Sequence, residues 1–204
     1  TLPIGTSYDL KEKNMVIGGK DTFFYFIDGF VKGEVLERII AELLKISVHE
    51  MNQCDSAGEF SKKLLNYAQA ETEKDRDNII KAILSGLTVL LIDGYSEAIA
   101  MDIRTYPTRG VEEPEKEKSL RGPKDGFVET ILFNTDLIRR RLREPKLVFE
   151  MVTVGASSKT DVCISYVSGL AEEEMLNKIK TKIKGIHQDT LTVGEQSLVE
   201  AISK

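Results

Sequence analysis

The spacing of apolar and polar residues predicts short strands alternating with amphipathic helices. Aromatic and β-branched residues dominate Thr22 to Ile27, which predicts a strand paired with Asn14 to Ile17 across a glycine-rich turn. Apolar residues at helical spacing then predict a helix from Gly33 to Ile46. Thr1 to Lys13 is polar and is expected to be a loosely attached leader. The chain should therefore begin, after this leader, with a strand–strand–helix unit.

The alternation continues through the middle of the chain. Helices are predicted over Glu59 to Gln69 and over Asp75 to Leu84, where Gly86 marks an end. Thr88 to Ile92 and Glu97 to Ile103 read as a hairpin around an Asp-Gly turn. These elements complete the apolar pattern of the first half.

A charged, proline-containing stretch then interrupts the pattern. Tyr106 to Lys118, YPTRGVEEPEKEK, has no periodic apolar face and is typical of an exposed linker. We place the linker at 106–120, an N-terminal subdomain at 1–105 and a second subdomain at 121–204. The linker is expected to be the interior segment that proteases cleave most readily.

The second half repeats the order of the first. Strands are predicted over Leu147 to Val154 and Asp161 to Val167, followed by a helix from Glu172 to Lys184. A shift of the chain by 140 residues overlays Gly29 on Gly169 and aligns the apolar positions around them. A last short helix is predicted over 194–203. The fold class is therefore α/β, in the mixed α+β sense, with two small subdomains, each a mixed sheet with covering helices.

The longest helix is predicted at the start of the second subdomain. It should begin near Asp125, after a Gly-Pro break, and end near Arg143, because Pro145 stops it. The broad apolar arc of this helix comprises Phe127, Val128, Ile131, Leu132, Thr135, Ile138 and Leu142. The polar side is expected to carry Glu129, Asp136, Arg140 and Arg143.

Phe133 and Leu137 form a second, smaller apolar patch on this helix, bordered by Asn134 and Arg141. Exposed Phe beside Leu is a liability unless something covers it. We therefore predict a docking surface at Phe133, Asn134, Leu137 and Arg141. The alternatives are burial of Leu137 inside one subdomain, or an ordinary amphipathic helix with solvated arginines.

Composition and candidate chemistry exclude several classes of protein. The net charge of −5 argues against a nucleic-acid surface. The two cysteines and two histidines show no metal-ligand spacing, no serine has a paired histidine context, and no two carboxylates stand out as acid and base. No run is long enough to span a membrane, and the polar start lacks a signal peptide's order. Neither enzymatic activity nor a cofactor is expected.

Two residues are weak candidates for ligand binding. Asp28 ends a predicted strand just before Gly29, where it could bind a small ligand but is expected rather to cap the following helix or turn. Lys159 lies in the loop GASSKT, which lacks the second glycine of a phosphate loop and precedes a strand rather than a helix. A polar turn that exposes Lys159 is therefore favoured over a nucleotide site.

The stretch RGPKDGFVETILFNTDLIRRRLREPKL resembles the signature of the GerA family of spore germination proteins. The motif and expected hinge residues at its start are Arg121, Gly122, Pro123, Asp125, Gly126 and Phe127. YFIDGFV from Tyr25, VGASSKT from Val154 and the segment from Ile186 to Asp189 also agree with the family. Lys32 and His187 depart from it, since Asp is usual at both positions.

The resemblance implies the soluble N-terminal region of the A subunit of a nutrient germinant receptor. Transmembrane helices are then expected after Lys204, with this domain on the cytoplasmic side of the spore inner membrane. The partners implied are B-type and C-type receptor subunits, the chain's own membrane domain and a small nutrient ligand. The function implied is germinant sensing and signal transmission that triggers germination and ion release. The alternative is a small-molecule binding module with its ligand in a cleft between subdomains.

Overall fold

A computed structural model of the chain describes residues 2–105, 126–155 and 159–186. The chain divides into two compact units. The larger comprises Leu2–Gly5 and Asp9–Pro145, and the smaller comprises Thr6–Tyr8 and the chain from Lys146 onward. The predicted boundary, with the second subdomain starting at 121, differs from this division because the long helix belongs to the larger unit.

The larger unit is built on an antiparallel sheet. Its described strands are β1 (Leu10–Ile17), β2 (Lys20–Ile27), β3 (Ala70–Glu73), β4 (Thr88–Ile92) and β5 (Ala98–Met101). Its described helices are α1 (Gly33–Leu43), α2 (Val48–Met51), α3 (Ala57–Lys63), α4 (Arg76–Leu84) and α5 (Ile131–Arg141). The strands lie in the order β1-β2-β4-β5-β3, and every pair is antiparallel.

Helices cover both faces of this sheet, which explains why β4 reads as the continuous apolar run TVLLI. Successive side chains of a strand point to opposite faces. Phe24 and Leu90 accordingly pack with residues of α1, α2 and α3, whereas Val89 packs with Ile83 of α4 on the other face. The sheet and its helices therefore form a three-layer core.

The smaller unit contains one hairpin and one helix in its described part. They are β6 (Leu147–Val154), β7 (Thr160–Val167) and α6 (Glu173–Lys184). Ile183 of α6 packs on Val152 and Val154 of β6. The Tyr8 N–H donates a hydrogen bond to the Phe149 carbonyl oxygen (2.7 Å), and the Phe149 N–H donates to Ser7 Oγ (3.0 Å).

The mixed α/β fold class is confirmed, and so is the repeated order of strand, strand and helix. The prediction of a mixed sheet in each subdomain is wrong, because every pair of the named strands is antiparallel. Gly29 and Gly169 both follow the second strand of their unit with left-handed backbone, at φ +86 and +83. The predicted leader is wrong in its second half, since β1 begins at Leu10 and Asp9 is fully buried. The predicted helix at 59–69 ends at Lys63 and is followed by β3, which the pattern missed because the strand is short and half exposed.

The long helix is shorter than predicted at both ends. Asn134 forms two hydrogen bonds of 2.7 Å with the Val128 backbone, accepting from its N–H and donating to its carbonyl oxygen. These bonds hold Val128 outside the helix, which begins at Ile131 and ends at Arg141. Three predicted features lie outside the described residues: the linker at 106–120, the start of the motif at 121–125 and the last helix over 194–203. No helix in the described ranges is long and apolar enough to cross a membrane.

Candidate functional site

The turn that follows β2 places a glycine where no side chain fits. The Asp28 N–H donates to the Asp9 carbonyl oxygen (2.8 Å), and the Phe30 N–H donates to the Ile27 carbonyl oxygen (3.2 Å). Gly29 between them has φ +86, a conformation that L side chains rarely adopt. Phe30 is buried in the core beneath the turn. The turn is thus fixed on one side by the core and on the other by Asp9.

Helix α5 presents a polar side to the protein interior. Its buried residues are Thr135, Asp136 and Arg139, each at most 2% exposed. Asp136, predicted on the polar side opposite the apolar arc, is buried, and the alternative of a helix with solvated arginines is wrong for Arg139. Burial of charged groups is costly unless they are paired and hydrogen-bonded, so each of these side chains requires an explanation.

Arg139 is paired with Asp9 in a fully buried, two-pronged ion pair. Arg139 Nε donates to Asp9 Oδ2 (2.7 Å) and Arg139 Nη2 donates to Asp9 Oδ1 (3.2 Å). Arg139 Nη1 donates to the Glu144 carbonyl oxygen (3.1 Å). Both side chains have zero exposure. This geometry satisfies the charges on both sides and joins α5 to the residue just before β1.

Asp136 lies one turn away from Arg139 and is not paired in this way. Neither of its carboxyl oxygens has a hydrogen-bond partner among the described residues. Burial, then the negative charges of Asp9 and Asp28, raise the pKa of Asp136 to about 7. A Cβ at position 29 would stand 2.7 Å from the Asp136 carboxyl carbon, so the carboxyl group packs directly on Gly29. Asp136 is therefore a buried acid that keeps its proton up to about neutral pH.

This arrangement can exchange a proton and fix a helix, but it has no other evident chemistry. Within the described ranges, no group of three or more His, Cys, Asp or Glu residues could hold a metal ion. Arg139, Asp9 and Asp136 are each at most 1% exposed. Asp9, Asp136 and Arg139 therefore form a buried charged cluster where α5 packs against the turn at Asp28 to Phe30.

The two predicted ligand-binding residues lie in different units. Asp28 is at the turn, where its side chain is 42% exposed and pairs with Lys11 at 3.6 Å. It does not cap α1, whose N-cap is Lys32. Lys159 is exposed in the smaller unit, with φ +43. Ligand binding by either residue stays a prediction.

The predicted docking surface is partly used inside the chain. Phe133 is 44% exposed, and Arg141 is exposed at the end of α5. Leu137 is half-buried, whereas the side-chain amide of Asn134 is engaged by Val128. Of the motif and hinge residues, Arg121 to Asp125 lie outside the described residues, and Phe127 is 68% exposed. The hinge stays a prediction.

A groove that the sequence did not indicate lies in the larger unit. It has a volume of about 430 Å³ and lies between α1 and the segment Leu64 to Tyr67. The buried Ile39 and Leu43 give it an apolar floor, and its charged lining residues are Lys32, Arg38 and Glu42.

The sequence analysis did not predict this buried charged cluster, although the position of Arg139 in the helical pattern indicates it. At about 100° per residue, Arg139 falls between Thr135 and Leu132, inside the predicted apolar arc. An arginine inside an apolar arc needs a buried carboxylate, and that partner is supplied by Asp9, 130 positions earlier in the chain. Nothing in the local pattern around Asp9 indicates burial.

Comparison with known proteins connects this fold to spore germination. The sequence model of the family described as Bacillus/Clostridium GerA spore germination protein matches residues 3–204. Stage V sporulation protein AF of Bacillus subtilis (strain 168) is 35% identical over 199 residues, which cover 98% of this chain and 40% of that protein. Spore germination protein A1 of the same organism is 28% identical over 190 residues, covering 91% of this chain and 38% of that protein. The chain thus spans about two-fifths of the length of these relatives.

A solved structure shows the same fold. The crystal structure of the N-terminal domain of the A subunit of the Bacillus megaterium spore germinant receptor GerK3 superposes with a TM-score of 0.68 at 21% identity. The match covers 96% of this chain and 73% of that one. The family match over residues 3–204 confirms the resemblance seen in RGPKDGF, and the chain belongs to the GerA family of spore germination proteins.

Proposed function

We propose that this chain is the N-terminal region of a germinant-receptor A subunit that takes part in nutrient sensing and signal transmission. The observation that carries the proposal is the family match over residues 3–204, supported by the likeness to the N-terminal domain of the GerK3 A subunit. The role proposed is non-enzymatic: the chain would pass on a conformational change that starts germination and ion release.

The proposed setting is a receptor complex at the spore inner membrane, with this region on the cytoplasmic side. Its partners would be B-type and C-type subunits and a membrane portion of its own protein. Relatives named as spore germination proteins are more than twice as long as this chain, which leaves room for such a membrane portion.

The surface proposed to transmit the signal is the side of α5 defined by Phe133, Asn134, Leu137 and Arg141. The exposed ring of Phe133 supports it, since an exposed aromatic beside a leucine suits a protein contact. Because Asn134 already holds the start of α5, its contribution is to fix the helix rather than to contact a partner.

The test is made with the full-length protein in a spore-forming host. Deletion of the gene is expected to leave spores that fail to respond to nutrients, and Leu137→Ala and Arg141→Ala should weaken co-purification of the partner subunits. Leu44→Ala changes an exposed leucine elsewhere in the same unit and serves as the control. Normal nutrient response in the deletion strain would overturn the receptor role.

The relationship to Stage V sporulation protein AF supports a second candidate, a role in spore formation itself. The same deletion strain separates the two. A drop in the yield of mature spores favours the sporulation role, whereas normal yield with a failed nutrient response favours the receptor role.

Small-molecule binding is the third candidate, and the groove beside α1 supports it. Its apolar floor, with Lys32, Arg38 and Glu42 around it, suits a small molecule that has an apolar portion and charged groups of both signs, such as an amino acid. A thermal-shift screen of the 204-residue chain against amino acids and sugars tests this, with Arg38→Ala as the variant expected to abolish any shift. An equal shift in that variant would exclude the groove as the site.

A further inference from the structure

The buried carboxyl group of Asp136 has no structural task that requires a charge. It is 1% exposed, and neither oxygen accepts or donates a hydrogen bond within the described ranges. Buried side-chain oxygens without partners are rare in folded proteins, and each unmade hydrogen bond destabilises the fold. A residue that is unfavourable in this way is a candidate for a function.

The neighbouring arginine does not compensate Asp136. Arg139 donates hydrogen bonds to Asp9 and to the Glu144 carbonyl oxygen. None of its N–H groups makes a hydrogen bond with Asp136. Ionisation of Asp136 would therefore add a second negative charge beside Asp9 without adding a donor.

The charged groups around Asp136 lie before and in β1, in the turn after β2 and on α5 itself, and the two acidic groups raise its pKa. Asp9 precedes β1, Asp28 lies in the turn, and both disfavour a negative charge on Asp136. Lys11 of β1 is engaged with Asp28 at 3.6 Å, and Arg139 of α5 with Asp9. Burial is the largest cause, so the pKa of Asp136 stands at about 7.

The protonated carboxyl group is also a packing element. It lies against Gly29, at a spacing too close for a Cβ. An ionised Asp136 needs either water or a cation. Water can reach the carboxylate if α5 moves away from this turn, and Arg139 can pair with it only by leaving Asp9. Either movement would change how α5 and the turn pack together.

From this geometry we propose that Asp136 is a proton-binding site that operates as a latch. The protonated side chain lets α5 pack on the turn at Asp28 to Phe30, and loss of the proton near neutral pH releases the helix from the turn. The ligand is the proton itself. This inference stands apart from the proposed receptor role, since it concerns a property that the 204-residue chain would show alone.

The sign of the effect follows from linkage. Between about pH 4 and pH 7 the packed state holds a proton that the released state does not, so the packed state loses stability as the pH rises. For an ordinary value of 3.8 and a shifted value of about 7, the equilibrium for release should rise roughly a hundredfold between pH 5 and pH 8.

The test combines two measurements on the 204-residue chain. Carbon-13 NMR of labelled aspartates should show one carboxyl that titrates near pH 7 and is missing in Asp136→Asn. Hydrogen exchange, corrected for the intrinsic pH dependence, should show amides of α5 opening roughly a hundredfold more at pH 8 than at pH 5. Asp136→Asn should abolish this dependence, whereas Asp93→Asn, at an exposed turn, should retain it.

Two outcomes would overturn the proposal. One is that every aspartate of the wild-type chain finishes titrating below about pH 5. The other is that Asp136→Asn keeps the same pH dependence of exchange in α5. If Asp136→Asn does not fold, the wild-type titration decides alone, since a carboxyl titrating near pH 7 supports the latch and its absence refutes it.

Discussion

Replacement of Arg139 by methionine tests whether the buried ion pair holds α5 in place. Methionine keeps most of the length of the side chain but removes the two hydrogen bonds to Asp9 and the one to the Glu144 carbonyl oxygen. Asp9 would then be a fully buried carboxylate that has lost this guanidinium, near Asp136. Removal of one partner from a buried pair typically costs about 3–5 kcal/mol. We expect Arg139→Met to lose about that much of the free energy of unfolding at pH 7.

The loss should depend on pH in a defined direction. Without Arg139, the negative charge of Asp9 is no longer offset by this guanidinium, so it disfavours the ionised form of Asp136 more strongly and the folded variant keeps the proton of Asp136 to a higher pH than wild type. Stability of the variant relative to wild type should therefore recover as the pH falls from 8 toward 6. A loss that is the same at both pH values would mean that packing, rather than the uncompensated charge, accounts for it.

Hydrogen exchange under increasing denaturant is the suitable assay, because it reports each unit of the chain separately. Amides of β2 and β4 report on the larger unit, whereas amides of β6 and β7 should be unchanged. Lys81→Met, at an exposed position of α4 in the same unit, is the control and should cost less than about 0.5 kcal/mol. A loss below about 1 kcal/mol in Arg139→Met would refute the view that this pair anchors α5.

Three further predictions concern other parts of the same structure. Gly29→Ala should destabilise the larger unit by about 1–3 kcal/mol, because Gly29 has a left-handed backbone and lies against Asp136. Gly169→Ala is the control and should cost less, since Gly169 has a similar φ but open space around it. Equal losses of the two variants in urea denaturation would contradict the contact with Asp136. Leu137→Ala should leave stability near wild type if this side of α5 is a docking surface, whereas a loss of about 2–5 kcal/mol would indicate core burial instead. Limited proteolysis should cut first between 106 and 118, and first cuts within α6 would argue against a linker there.

Several elements were predictable because their signals are local. The hairpin of β6 and β7, the strand β2 and the helix α4 all lie within a residue or two of the predicted bounds. In each case, a continuous run of apolar or β-branched residues is bounded by a glycine turn or a cap, such as Asp75, whose side chain accepts from the Asn78 N–H. The repeat around Gly29 and Gly169 was visible for the same reason.

Elements with weak local signals were misjudged. β3 is four residues long, is partly exposed and contains two glutamates, and it is a strand because β5 pairs with it. The start of α5 was placed too early because its position depends on the side-chain bonds between Asn134 and Val128, which periodicity does not reveal.

The sequence by itself determined the class of fold, the repeated strand–strand–helix order and the family resemblance, since all three depend on neighbouring residues. Only the tertiary structure decided that the chain around Asp9 is part of the core and that Asp136 and Arg139 face inward. Asp9 and Arg139 are 130 positions apart, and a polar residue becomes a buried one only when a distant partner compensates its charge. The character of α5 was therefore set by a contact that no local pattern encodes.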